Sequence, residues 1–131
     1  MFVLMKLTLG KKERLKSRKL IEKLYTEGTS IKVYPLRMVY LQVDHTSKFP
    51  VQFGVSVPKR NFKKAVDRNR IKRLLREAYR LQKEMVYTEV EKPHIFMISY
   101  LAKEEWKYAD LEYKMRKLLT LFIEKTSEDE K

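Results

Sequence analysis

Residues 51–80, VQFGVSVPKRNFKKAVDRNRIKRLLREAYR, run through a strand, a basic loop and a helix in immediate succession. Val51, Phe53, Val55 and Val57 alternate with Gln52, Gly54 and Ser56, the period of a strand with one buried face. Phe49 extends the alternation upstream, and Pro58 ends it. From Ala65 the period changes. Ile71, Leu74, Leu75, Ala78 and Tyr79 recur at about 100° per residue, while Asn69, Lys72, Arg73, Arg76 and Arg80 gather opposite. This spacing predicts a helix over 65–83, with Asp67 near the positive end of its dipole. A strand that leads into an amphipathic helix needs a sheet for that helix to cover, so the chain reads as α/β.

Working outward, residues 31–43, IKVYPLRMVYLQV, are rich in β-branched and aromatic side chains and read as strand, with Pro35 splitting the run. Leu36, Met38 and Tyr40 then face one way, and Arg37, Val39 and Leu41 the other. Residues 44–50, DHTSKFP, read as a hairpin loop. Upstream, Leu20, Ile21, Leu24 and Tyr25 repeat at helical spacing between Ser17, an N-cap, and Gly28, a stop. The stretch from Lys11 to Lys16 is basic and expected to be extended or loosely held. Downstream, Pro93 precedes HIFMISY, an apolar run expected to be a buried central strand. A last helix over 105–124 presents Tyr108, Leu111, Met115, Leu118, Leu119 and Phe122 on one face, and the tail SEDEK is expected to be disordered. The result is an α/β (α+β) sandwich: a four-stranded sheet packed with three helices. It forms one domain over 1–131, with its core in about residues 12–124 between a flexible basic N-terminus and an acidic C-terminal tail.

The charge is unevenly placed. The segment from Lys59 to Arg80 holds ten Lys or Arg and two acids, so it supplies +8 of a formal net charge of +13. Residues 1–24 add +6, and residues 81–131 come to −2. A helix face of nearly one sign repels itself unless a polyanion offsets it, and phosphate backbones are the polyanion that arginine's planar fork suits. With no cysteine, disulfides, thiolate metal sites and cysteine nucleophiles are excluded. No stretch approaches the roughly 20 apolar residues of a membrane span. A soluble, cytoplasmic protein with no membrane partner is expected.

The residues of catalysis are missing from the pattern. His45 and His94 lie far apart and form no metal-binding pair, so each is expected to be solvated or to cap an element. The carboxylates cluster after residue 84, where Glu104 and Glu105 read as solvated charges at a helix start. Three glycines do not make a phosphate-cradling loop. No catalytic residue, no metal ligand and no small-molecule substrate site is assigned. Among the aromatics, alternation buries Phe49 and Phe53 and leaves Tyr25 and Tyr40 as candidates for stacking on bases.

The run Lys64-Ala65-Val66-Asp67-Arg68-Asn69-Arg70-Ile71-Lys72-Arg73-Leu74-Leu75-Arg76-Glu77 closely resembles the Arg-Asn-Arg signature of the bacterial ribonuclease P protein subunit. The approach GVSVPKR, Gly54 to Arg60, resembles that family's strand and basic turn. Arg14-Leu15-Lys16, with a helix ending in Tyr25 and Gly28-Thr29-Ser30, matches as well. The resemblance spans about residues 12–122. It implies a four-stranded mixed sheet like that in the second domain of a small-subunit ribosomal protein, with a left-handed crossover around the basic helix, against the usual hand.

It also implies a function. The family removes the 5′ leader from precursor tRNA with a catalytic RNA that holds magnesium ions, Mg2+ acting through that RNA and the substrate. The polypeptide is an accessory subunit of the endoribonuclease. Lys59, Arg60, Lys64, Arg68, Asn69, Arg70, Lys72, Arg73 and Arg76 would then meet the catalytic RNA. A cleft between the first helix and the sheet would hold the single-stranded leader. Arg14, Lys16, Ile21 and Tyr25 would line it with Val39 or Tyr40, and with Arg37 if that side of the strand faces in. Ile21 stands where the family commonly has phenylalanine. The alternative is a non-catalytic RNA-binding module, such as a ribosomal or RNA-chaperone protein on the same basic sandwich.

Overall fold

The computed structural model describes residue 10, residues 13–44 and residues 50–129. Its elements in chain order are α1 (Arg18–Glu27), β1 (Thr29–Val33), β2 (Leu36–Gln42), β3 (Val51–Ser56), α2 (Ala65–Arg80), α3 (Lys83–Glu89), β4 (His94–Tyr100) and α4 (Tyr108–Asp129). The strands make one sheet in the order β1-β2-β4-β3. β1 pairs antiparallel with β2, β2 antiparallel with β4, and β3 parallel with β4. The sheet is therefore mixed. As the apolar run suggested, β4 is central, and six of its seven residues are buried.

Residues 44–50 do not turn a hairpin. β2 and β3 flank β4 and do not pair with each other, so the strands before and after this stretch meet only across the start of β4. That end is closed by Val43 N donating to Pro93 O (3.1 Å) and His94 N donating to Pro50 O (2.9 Å). Alternation fixes the faces of a strand but not its neighbours. Residues 45–49 lie outside the described residues, and with them the readings of His45 and Phe49. Met1–Leu9, Lys11, Lys12 and the last two residues lie outside as well.

Helices cover both faces of the sheet. On one side α2, α3 and α4 bury Leu36, Met38, Tyr40, Val51, Phe53, Phe96 and Ile98. Phe53 stacks on Tyr79 at 4.0 Å between centroids, Phe96 lies edge-on to both, and Phe122 of α4 meets Phe96 and Tyr40 at 5.1 Å. Burying each ring stabilises the fold by about 1.5–3 kcal/mol. On the other side α1 and Leu15 cover Val39, Ile95 and Met97 with a smaller apolar layer. Ser17 caps α1, its Oγ accepting from Leu20 N (3.3 Å). His94 is buried rather than solvated, its Nδ1 2.7 Å from Lys92 O and its ring edge-on to Phe122.

The sequence predicts three helices, whereas the described residues contain four. The helix predicted over 65–83 stops at Arg80, and α3 starts at Lys83 after a break held by Gln82. The Gln82 Nε2 donates to Ala78 O and to Glu112 O of α4, both at 3.1 Å. The helical period continues through the break, so the pattern does not mark it. At the other end α4 runs on to Asp129, through Ser127 and Glu128 of the tail expected to be disordered.

Gly28 ends α1 with an extended backbone, so its role is steric. A Cβ there would run into the Leu24 carbonyl and lie 2.7 Å from Val39 Cγ1 and 3.0 Å from Tyr40 O. Gly28→Ala is expected to cost about 1–3 kcal/mol through overpacking, read as a lower urea midpoint. An unchanged midpoint would show that α1 can shift away from β2 freely.

Candidate nucleic-acid interface

The pairing registers align residues across the α1 side of the sheet. Ser30, Val39, Met97 and Gly54 form one row, and Lys32, Arg37, Ser99 and Ser56 form the next. The first row lies partly under α1 through Val39 and Met97. The second lies beyond that cover: Lys32 and Arg37 are exposed, and Ser99 and Ser56 are half-buried. A polar trough thus crosses all four strands, beside the apolar layer under α1. Arg37 Nε donates to Ser30 Oγ (2.9 Å), which holds its guanidinium against the sheet surface.

At the β3 end the trough meets a pocket of about 310 Å³ lined by Arg14, Leu15, Lys16, Ile21, Phe53, Gly54, Val55, Arg76 and Met97. Residues 14–16 reach it by strand addition. Arg14 bridges Phe53 in parallel, and Leu15 N donates to Phe53 O (2.9 Å). This stretch is therefore docked rather than loosely held. Gly54 keeps the pocket floor at backbone level, since a Cβ would lie 2.9 Å from Met97 Cε. Burial, and then the charge of Arg14, press the Arg76 pKa below the ordinary arginine range; its guanidinium stays charged at neutral pH. Two guanidiniums held close enough to repel each other favour an anion between them.

A buried ion pair holds this N-terminal stretch. Lys83 Nζ lies 2.5 Å from Glu13 Oε1, and the two residues are 1% and 2% exposed. Glu13 Oε1 also accepts from Tyr87 Oη (2.7 Å), and Oε2 accepts from Gly10 N (2.9 Å). Glu13 thus ties the segment beside Arg14 to α3. Burial is the first cause that pushes the phenols of Tyr87 and Tyr79 up, so both stay protonated. Sequence reasoning assigned no role to Glu13 or Lys83. The one signal was Glu13 itself, a lone acid among Lys11, Lys12, Arg14, Lys16 and Arg18.

The cations of α2 divide into groups. Lys59 and Arg60 sit exposed in the turn after β3, and Lys64, Asn69 and Arg73 are exposed on or just before α2, with Lys72 half-buried. Arg76 turns to the pocket and joins Arg14 and Lys16. Arg68 acts inward: its Nη1 donates to the carbonyls of Phe62 and Lys63, both at 2.8 Å, and so holds the basic loop to the helix start. Arg70 is half exposed but already paired, with Glu105 at 2.9 Å and Asp67 at 3.2 Å. Any anion that binds Arg70 has to displace those carboxylates. The Arg80–Glu77 pair raises the arginine's pKa and lowers the glutamate's, chiefly through their hydrogen bond.

Of the residues assigned to the cleft, Arg14, Lys16 and Ile21 come together in the pocket, and Arg37 lies in the trough. Tyr25 is exposed on α1. Val39 faces the right way but is 5% exposed under α1. Tyr40 faces the opposite side. Sharing the parity of Leu36 and Met38, it packs edge-on against Phe122 at 6% exposure and cannot stack on a base in the cleft. Among the described residues no three His, Cys, Asp or Glu side chains gather to hold a metal, and no helix is long and apolar enough to cross a membrane.

The sequence and the fold have counterparts among known proteins. A family model described as Ribonuclease P matches residues 9–122. The chain is 44% identical over 89 residues to a ribonuclease P protein component of Porphyromonas gingivalis, covering 67% of this chain and 64% of that one. The match therefore spans under two thirds of the length of that relative. With the ribonuclease P protein component of Syntrophus aciditrophicus the identity is 33% over 115 residues, covering 88% and 91%. The fold matches the RNase P protein from Thermotoga maritima at a TM-score of 0.66 and 22% identity, covering 82% and 94%. It matches that from Staphylococcus aureus at 0.60 and 22%, covering 92% and 94%. With the family model spanning most of its length, the chain belongs to the ribonuclease P protein family.

Proposed function

We infer that this chain is the protein subunit of ribonuclease P: it binds the catalytic RNA and the 5′ leader of precursor tRNA and assists removal of that leader. The observation that carries the reading is the meeting of two basic surfaces at one pocket. Arg76 belongs to the cationic helix, Arg14 and Lys16 belong to the cleft, and the three converge beside β3. One polyanion along α2 and another along the trough are thereby brought side by side. Two RNAs repel each other strongly, and a wedge of fixed positive charge lowers that repulsion while adding contacts to both. The half-polar trough suits a single strand, with phosphates on Arg37 and Arg14 and a ring such as Tyr25 within stacking range of a base.

Bond breaking is assigned to the RNA. Among the described residues the charged groups that line the cleft are cations, Arg14, Lys16 and Arg76, which repel a divalent metal. Magnesium acts through RNA phosphates and the substrate, and the chain lowers the concentration required by supplying charge of the same sign. A cytoplasmic location, where tRNA is processed, goes with this role.

The test mixes the purified chain with a transcript of the catalytic RNA and a precursor tRNA at low magnesium. Leader removal is expected with both components and not with the chain alone. Arg14→Ala/Arg76→Ala is expected to weaken precursor binding roughly tenfold while binding of mature tRNA changes little. Cleavage by the chain alone would overturn the assignment. Tight RNA binding with no stimulation of cleavage would favour the ribosomal or chaperone reading.

A further inference from the structure

A second basic concavity lies at the opposite edge of the sheet. Between β1 and α4 a groove of about 530 Å³ is lined by Lys32, Val33, Arg116, Lys117, Thr120 and Leu121, three cations and no acid. Beside it Tyr113 is half exposed, with the ammonium groups of Lys117 and Lys114 at 4.8 and 5.8 Å from its ring centroid. An aromatic face rimmed by cations is the pairing that holds single-stranded nucleic acid, bases on the ring and phosphates on the ammonium groups. Arg116 is partly engaged, its Nε donating to Gln82 Oε1 (3.2 Å) and its Nη2 3.9 Å from Glu112. Lys117 and Lys32 form no ion pair among the described residues.

Lys32 links this groove to the cleft. Its Cα is the register partner of Arg37, and like charges directly opposite each other destabilise an antiparallel pair. A polyanion crossing both relieves that repulsion. Because β1 is the edge strand, Lys32 both ends the trough and lines the groove on the far side of the edge. We propose that the groove holds the 5′-distal part of a long single-stranded RNA leader, which crosses the trough, passes round β1 at Lys32 and lies along α4 at Lys117 and Tyr113. This rests on the leader-binding reading of the cleft. The occupant is RNA because the lining offers three cations and no acid, with the Tyr113 ring and its two lysines beside it. The α2 interface lies beyond α4 from this groove, so the catalytic RNA and the distal leader occupy separate surfaces.

The holoenzyme is tested with mature tRNA and with precursors carrying leaders of about 5 and about 15 nucleotides, near the two ends of the range of site sizes in single-strand-binding modules. The wild type is expected to bind the long-leader precursor more tightly than the short one. In Tyr113→Ala/Lys117→Ala that advantage is expected to vanish, a loss of roughly fivefold to tenfold, with affinity for the short leader unchanged. Retention of the advantage, its absence from the wild type, or an equal loss for both leaders overturns the proposal. Failure of the underlying cleft reading has another signature: neither leader would then improve binding over mature tRNA. A urea midpoint equal to wild type confirms that the variant is folded, and Lys117→Ala alone, which keeps the ring, is expected to give an intermediate loss.

Discussion

Replacing Lys83 with methionine is expected to destabilise the protein by about 3–5 kcal/mol, because it leaves the buried carboxylate of Glu13 without its counter-charge. The Tyr87 hydroxyl and Gly10 amide still donate to that carboxylate, but neither supplies a charge. The double variant Glu13→Gln/Lys83→Met removes the orphan and is expected to recover most of the loss. Two measurements check this. Urea denaturation of the two variants gives the energies, and hydrogen exchange at Leu15, whose amide donates to Phe53 O, reports whether the segment stays docked. RNA binding adds an arm that a purely structural role elsewhere would leave still. Since Glu13 precedes Arg14 and Lys16, Lys83→Met is expected to weaken precursor binding under conditions where α2 remains folded. A wild-type midpoint in Lys83→Met would mean that water reaches the pair and that the anchor is unimportant.

The second large effect concerns α2. The triple variant Lys64→Ala/Lys72→Ala/Arg73→Ala is expected to flatten the salt dependence of catalytic-RNA binding by about 2–3 on a log–log plot, near one per removed cation. Between about 50 and 200 mM salt, such contacts together account for more than tenfold in affinity. None of the three is known to hold the fold by a side-chain bond, so stability is expected to change by less than 0.5 kcal/mol or so. Arg68 is left out of the set on purpose. Its removal frees the Phe62 and Lys63 carbonyls and disorders the loop that carries Lys59 and Arg60. Arg68→Ala is a structural change as much as an electrostatic one. A triple variant with an unchanged salt slope would place the RNA elsewhere on the molecule.

Much of this was legible in the sequence, for reasons that can be located. The alternation from Val51 to Val57 and the stripes of α2 and α4 record burial within one element, and those stripes lie where the residues said they would. Ser17 and Gly28 bound α1 because capping and close approach are local demands. What was hidden depended on pairing between distant segments. The insertion of β4 between β2 and β3 leaves no mark on either strand, so the loop at 44–50 looked like a hairpin. Tyr40 could be given the correct parity from its neighbours, yet its use in stacking was still open until α4 was seen to cover it. The basic helix read as a uniform cationic face; the carbonyls that claim Arg68 and the carboxylates that claim Arg70 come from the preceding loop and from Glu105, outside the helical period. Glu13 and Lys83, 70 residues apart, could be joined by no local rule. The family resemblance supplied the expected function where the residues alone supplied only a charge.

The central position of β4 also sets the order in which the molecule can mature. During synthesis β2, β3 and the whole cationic helix leave the ribosome before residues 94–100, the one strand against which both β2 and β3 can close. Until then β2 has only β1 beside it, β3 has no neighbouring strand of the sheet, and the chain holds its densest positive charge in the presence of ribosomal RNA. Long-range pairings of this kind are slow to form. The C-terminal third, nearly neutral, is therefore the segment whose arrival closes the sheet and turns a loose polycation into an ordered cationic face.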